Sequence, residues 1–180
     1  EDTIAAVATP LGRGGVAVVR VSGPKAFEIA SALSTKSPKV GRIVFARFKA
    51  GDKILDEGLL LSFKAPASFT GEDVVEFQCH GGTVAPQRIL DAAIHLGARL
   101  ARRGEFTERA FLNGKMSFDQ AEALLDFIDA KTERAADAAL SELVLEDSSK
   151  LSIKNVIRKL YDETGNRNGS FGKRCWICIK

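Results

Sequence analysis

Long apolar stretches are missing from this sequence. No run approaches the roughly 18 residues that a membrane-spanning helix needs, so no membrane association is expected. A dominant charge is missing too: 26 basic residues face 23 acidic ones, for a formal net charge of +3. Such a surface permits contact with a polyanion without requiring it. Cysteine is scarce, with three residues and no secretion-signal pattern ahead of Asp2, which suits a reducing cytosol better than a disulfide scaffold. A soluble, cytoplasmic protein is the expectation. Histidine is limited to His80 and His95, so the Cys175-Trp176-Ile177-Cys178 pair supplies at most half a zinc site, and no metal is expected. A phosphate-binding P-loop is also lacking. The stretch Arg167-Asn168-Gly169-Ser170-Phe171-Gly172-Lys173-Arg174 imitates one, but Arg167 replaces its first Gly and Arg174 the Ser or Thr that would hold magnesium. GTP binding through such a loop is therefore not expected.

What is present is 45% hydrophobic residues in 180, enough for a sizeable core in one or two domains. Thr3 to Ala8 reads as an opening strand, and Val16 to Val21 as a second, nearly continuous apolar strand interrupted by Arg20. Between them lies the turn Pro10-Leu11-Gly12-Arg13-Gly14-Gly15, whose glycine spacing is not that of a dinucleotide site. Ser22 or Gly23 is positioned to cap a helix that has Pro24 in its first turn and Phe27, Ile29 and Leu33 on its apolar side. Arg42 to Lys49 and Lys53 to Phe63 predict two strands joined at Ala50-Gly51-Asp52. In Ser68 to Gly82, a turn leads into the strand Val74-Val75-Glu76-Phe77-Gln78, and Gly81-Gly82 hands the chain to a helix over 83–96. Val75, Phe77 and Cys79 alternate there with Val74, Glu76 and Gln78, so one strand face carries a carboxylate among apolar neighbours.

Composition shifts beyond Leu100. From Glu105 to Leu145 the chain is rich in Ala, Glu, Leu and Asp and has no Pro. Ser117-Phe118-Asp119-Gln120 resembles a capping box, and Ala121, Leu124, Leu125, Ile128 and Ala135 hold a helical period. A further helical piece is expected from about Lys150 to Tyr161, followed by a tail with little periodicity. The fold class expected is α+β, with mixed structure over roughly the first 100 residues and helices after it.

Chemistry concentrates in few places. Arg20 and Glu76 each interrupt an apolar strand, and an unpaired buried carboxylate is costly. They form either a structural ion pair between neighbouring strands or a polar pair at the base of a pocket. In the second case Arg offers a fork of donors and Glu accepts from an amino-pyrimidine edge. Arg13 and Lys115 each follow a glycine, where a cation is either simply solvated or able to approach an anionic ligand.

Three signatures recur in order along the chain. The first is Asp2-Thr3-Ile4-Ala5-Ala6 with Ala8-Thr9-Pro10, then Gly12 to Gly15, and Arg20-Val21-Ser22-Gly23. The second is Ser68 to Gly82, and the third Gly104-Glu105-Phe106-Thr107 with Arg109 to Met116. With Gln120-Ala121-Glu122-Ala123 and Ala130-Lys131-Thr132, these stretches resemble one family over roughly residues 2–143, the MnmE (TrmE) tRNA-modifying GTPases. The resemblance implies an N-terminal domain over 1–116, similar to the tetrahydrofolate-binding domains of aminomethyltransferases and responsible for homodimerisation. Residues 117–180 would form part of a helical domain, without the GTPase domain that carries the family's GTP, Mg2+ and K+ sites. It further implies 5-formyl-tetrahydrofolate held by Arg20, Glu76, Lys115 and Lys180, and Cys178 as a catalytic thiol in the tail. The implied activity is modification of the wobble uridine of tRNA, together with the FAD protein MnmG. A non-enzymatic folate-binding or dimerisation module and a folate-dependent aminomethyltransferase are the alternatives. The chain departs from the family at Arg103, at Ser117-Phe118 and in the tail, where Ile177 replaces Phe and a glycine is absent.

Overall fold

The computed structural model describes residues 2–10 and 12–144. The helical piece expected from Lys150, Cys178 and Lys180 lie outside the described residues. The chain divides into two compact units, the first reaching Lys115 and the second starting at Met116.

The first unit is built on six strands: β1 (Ile4–Val7), β2 (Val16–Ser22), β3 (Val44–Ala50), β4 (Lys53–Phe63), β5 (Val74–His80) and β6 (Arg99–Leu100). Their order across the sheet is β3-β4-β5-β2-β1-β6, and only β1–β6 is a parallel pair. The β3–β4 hairpin turns where Ala50-Gly51-Asp52 predicts it, and the alternation in β5 is real. Val75, Phe77 and Cys79 are buried on one face, while Glu76 and Gln78 are half-buried on the other. Helices α1 (Ala26–Leu33) and α2 (Val84–His95) cover the first face with Ile29, Leu33, Ile89 and Ala93. Phe48 and Phe77 meet edge-to-face at 5.2 Å between ring centroids in the middle of that layer. This is an α+β fold with one helix-covered sheet face.

Two glycines set close approaches. A Cβ at Gly81 would overlap the Gly14 carbonyl oxygen, and one at Gly58 would overlap that of Gln78. Gly81-Gly82 therefore does more than open α2: it lets the end of β5 pass the turn that precedes β2. Gly97 follows α2 with φ +100°, as expected of a helix-terminating glycine.

The start of α1 differs from the expectation. Ser22 is the last residue of β2, not a cap, because its hydroxyl is used by Thr70 and Glu72. Lys25 occupies the cap position without a capping side chain, and its backbone N–H donates to the Thr3 hydroxyl at 2.9 Å. The element α3 (Glu105–Leu112) is helical, as the composition suggested, but it belongs to the first unit.

The second unit contains α4 (Phe118–Asp129) and α5 (Glu133–Val144). Ser117 and Gln120 form the complete capping box, with reciprocal side-chain to backbone bonds at 3.1 and 2.9 Å. The period from Ala121 to Ala135 does not continue as one helix. The chain leaves helical geometry at Ala130 (φ −59°, ψ 129°), and Thr132 then accepts from the Ala135 N–H to start α5. Among the described residues no helix is long and apolar enough to cross a membrane.

Candidate ligand site on the open sheet face

The sheet face not covered by α1 and α2 has an apolar row from strand to strand: Phe45, Leu59 and Val18, with Gln78 among them in register. One row further along, Ala6, Arg20, Glu76 and Leu61 lie side by side on β1, β2, β5 and β4. The two charged interruptions seen in the sequence are thus direct cross-strand neighbours. The Arg20 Nε donates to Glu76 Oε1 at 2.8 Å, and Nη2 lies 2.8 Å from the same oxygen in an ion pair. Among the described residues, Glu76 Oε2 has no hydrogen-bond partner, and the side chain keeps 15% of its surface exposed. One carboxylate oxygen is committed to the pair, and the second remains able to accept.

Two rings hold the guanidinium. Its Cζ lies 5.2 Å from the centroid of Phe69 and 5.5 Å from that of Phe106, within cation–π range of both. Phe69 comes from the loop before β5, and Phe106 from the first turn of α3. Neither stands out in the sequence. The only signal available was their position inside the second and third signature stretches.

A second polar system fastens these two elements together. Arg109 Nη1 donates to both oxygens of Glu72 at 2.9 and 3.1 Å and to the Asp2 carbonyl at 2.8 Å. Its Nη2 donates to Asp2 Oδ1 at 2.6 Å. Glu72 also accepts from the Ser22 hydroxyl at 2.6 Å, and Asn113 Nδ2 donates to the Thr70 carbonyl at 2.7 Å. The network extends through Arg99, which donates to Asp2 and to both oxygens of Glu105. Glu105 is almost fully buried. Burial alone would raise its pKa, but bonds from Arg99 and from the Arg102 N–H outweigh that and bring it down to about 2. Arg99 and Arg109 hold the Asp2 carboxyl well below the usual range, Arg99 most strongly, against a partial opposition from desolvation.

Lys115 reaches the same loop from its other end. Its Nζ donates to the Pro66 carbonyl at 3.0 Å while remaining exposed, and its stem runs along Gly71. Arg20 and Glu76 are therefore in direct contact, and Lys115 lies against the loop that carries Phe69. Arg13 is exposed in its turn.

Cys79 and His80 point away from each other. The Cys79 thiol lies in the core, donates to the Ala17 carbonyl and is pushed up to about 11 by burial. His80 is exposed and pairs through Nδ1 with Asp56 Oδ1 at 2.7 Å, which raises its pKa, while its backbone N–H bonds Asp56 Oδ2. A shared metal site is incompatible with that arrangement.

The sequence profile of the family described as "GTP-binding protein TrmE N-terminus" matches residues 3–115. Curated relatives named tRNA modification GTPase MnmE align over most of the chain. The protein of Alkalilimnicola ehrlichii is 58% identical over 144 residues, 79% of this chain and 32% of the relative. That of Dechloromonas aromatica is 55% identical over 144 residues, again 79% and 32%. That of Legionella pneumophila is 48% identical over 156 residues, 86% and 35%. This chain spans about a third of the length of the relatives it matches.

Proposed function

The chain belongs to the family of the GTP-binding protein TrmE N-terminus, and from that premise we propose that its first unit binds a tetrahydrofolate derivative such as 5-formyl-tetrahydrofolate. The observation that carries this reading is the half-used carboxylate of Glu76. Arg20 occupies Oε1, and Oε2 stays open on a sheet face next to two aromatic rings. A carboxylate so held is an acceptor suited to the amino and ring N–H edge of a pterin, because a second donor group can be added without breaking the ion pair. The residues present fit such a ligand. Glu76 would accept from the pterin edge, Arg20 would fix Glu76 and offer its remaining N–H to polar groups, and Lys115 would meet an anionic part. Cys178 and Lys180 are assigned to the modification chemistry and to the folate by resemblance alone. A bound formyl-folate would supply the one-carbon unit; the residues of this chain bind and orient it.

In this reading residues 1–116 are the folate-binding and dimerisation domain, and 117–180 are part of a helical domain. The protein serves the modification of tRNA wobble uridine in the cytoplasm, with MnmG and its FAD as partner. The GTP chemistry in the relatives' name, with its Mg2+ and K+, is assigned to none of the described residues. Self-association is supported by the apolar row Phe45, Leu59 and Val18 on the helix-free face, where Phe45 is 55% exposed.

Isothermal titration with 5-formyl-tetrahydrofolate tests the site. Wild type should give a saturable heat, and Glu76→Ala should lose at least about tenfold in affinity, since a charge-assisted acceptor contributes about 1.5–3 kcal/mol. An absence of heat with folded wild type would refute the assignment.

A further inference from the structure

We propose that the outer edge of the sheet, formed by β3 with the segments before and after it, is a docking surface for the phosphate backbone of tRNA. The tRNA class rests on the function proposed above; the surface itself rests on charge and placement. Lys36, Lys39, Arg42, Arg47, Lys49 and Lys53 fall within 18 positions that hold one carboxylate, Asp52. That local balance of +5 in a chain of +3 leaves −2 for everything else.

The chain brings these cations to one edge. Ser34 bridges to Phe48 in antiparallel fashion, the Thr35 N–H donates to the Arg47 carbonyl at 2.9 Å, and the Arg47 N–H donates to the Thr35 hydroxyl at 3.1 Å. The segment leaving α1 therefore runs beside β3 before the chain turns back into it. Seven strand residues extend about 20 Å, long enough to face several consecutive phosphates of one strand.

Two features separate this edge from an ordinary solvated one. First, its cations are not neutralised within the protein. Arg47 approaches Glu57 at only 3.7 Å with both side chains exposed, and the other five have no carboxylate partner among the described residues. Arg20, Lys64, Arg99, Arg102 and Arg109, by contrast, each lie within 2.6–3.0 Å of a carboxylate. Second, protection of an exposed strand from edge-to-edge pairing does not account for them. Natural edges are blunted by charges on the strand itself or by a covering segment. Ser34 and Thr35 already cover part of β3, and four of the six cations lie outside it. A polyanion is the complementary occupant, because phosphate contacts contribute affinity in proportion to the cations that replace condensed counterions. The edge lies two strands from Glu76, about 10 Å across the sheet, so an RNA held there runs beside the candidate ligand site.

The test uses the 180-residue chain and a fluorescein-labelled, unmodified tRNA transcript, read by anisotropy from about 50 to about 200 mM KCl. The triple variant Lys36→Gln, Lys39→Gln, Arg42→Gln should bind at least about tenfold more weakly at the low-salt end. Its slope of log Kd against log salt should fall by about 2.7, about 0.9 for each of the three lost phosphate contacts. The control triple Arg88→Gln, Arg103→Gln, Arg134→Gln has the same net charge and should stay within about twofold of wild type. Equal losses in both triples, no loss in the first, or equally tight binding to polyglutamate or phosphatidylserine vesicles would overturn the proposal. The heat of 5-formyl-tetrahydrofolate binding, measured on the same samples, keeps the readings separate. A wild type with folate heat but no tRNA binding overturns the docking surface and leaves the folate site standing. A wild type that holds tRNA through this edge without folate heat does the reverse.

Discussion

Glu105 shows how far one residue's environment can be taken quantitatively. Its carboxylate is buried and accepts from Arg99 through both oxygens, at 2.7 and 3.1 Å, and from the Arg102 N–H at 2.6 Å. These bonds hold its pKa near about 2, against 4.5 for the free side chain. The folded pKa is the lower of the two, so the unfolded chain binds the extra proton in acid. The stabilisation is then complete above about pH 5 and is lost as pH falls from 4.5 toward 2. Its full size is about 3 kcal/mol. Urea unfolding of wild type should therefore show a midpoint that is flat near neutrality and drops steeply below pH 4.5. Glu105→Gln should be less stable at pH 7 and show a shallower acid slope; an unchanged slope would assign the acid sensitivity to other carboxylates. The sequence offered no hint of this residue's role. Its partners sit at positions 99 and 102, in a short strand and a turn whose charges look like ordinary surface.

At the scale of elements, local patterns were readable and long-range ones were not. The β5 alternation, the β3–β4 turn and the Ser117–Gln120 capping box depend on residues within a few positions, and the structure contains all three. The local sequence offers Ser22 or Gly23 as a cap because the partners that take the Ser22 hydroxyl, Thr70 and Glu72, lie about fifty positions away. The helical period through Ala135 concealed a break that the chain makes at Ala130, where no Gly or Pro announces it. The Arg20–Glu76 pair was visible as two anomalies in apolar strands, whereas the rings around Arg20 were not. Their meeting depends on how α3 is tied to the loop before β5. Arg109 makes that tie, with only 12% of its side chain exposed. Arg109→Ala leaves the Glu72 carboxylate without its cation in a nearly closed site, a loss of about 3 kcal/mol in urea unfolding. With the tie gone, Phe69 and Phe106 no longer flank Arg20, so folate affinity should fall about tenfold in titrations below the unfolding transition, with Arg109→Lys intermediate. If stability falls while affinity is retained, the tie supports the fold and not the ligand site.

For the whole molecule, the asymmetry of the sheet is the governing feature. Both α1 and α2 pack on one face, while α3 and the loop before β5 reach the Arg20 end of the other. The rest of that second face keeps Phe45, Leu59 and Val18 partly or largely in solvent. Such a surface on an isolated chain is costly to leave wet, and a self-complementary contact across a two-fold axis would cover it twice with one set of side chains. Arg20 and Glu76 lie one register row away from these residues on the same face. Ligand and partner copy, as proposed, therefore meet at adjoining surfaces, and linkage requires that whatever each does to the other be reciprocal. A ligand that fixes the Arg20–Glu76 row favours the arrangement of the face that a second copy contacts. Sedimentation velocity over a concentration series should then show a dimer whose half-association point moves to lower protein concentration with saturating 5-formyl-tetrahydrofolate. Phe45→Arg should shift the chain toward monomer, because it replaces the most exposed apolar side chain of the row, at its β3 end, with a charge. It should weaken folate binding per site by the square root of the factor by which saturating ligand strengthens dimerisation in wild type, because each dimer carries two ligands. A Phe45→Arg chain that still dimerises normally would move the interface elsewhere on the molecule, and a dimer indifferent to ligand would separate the two surfaces.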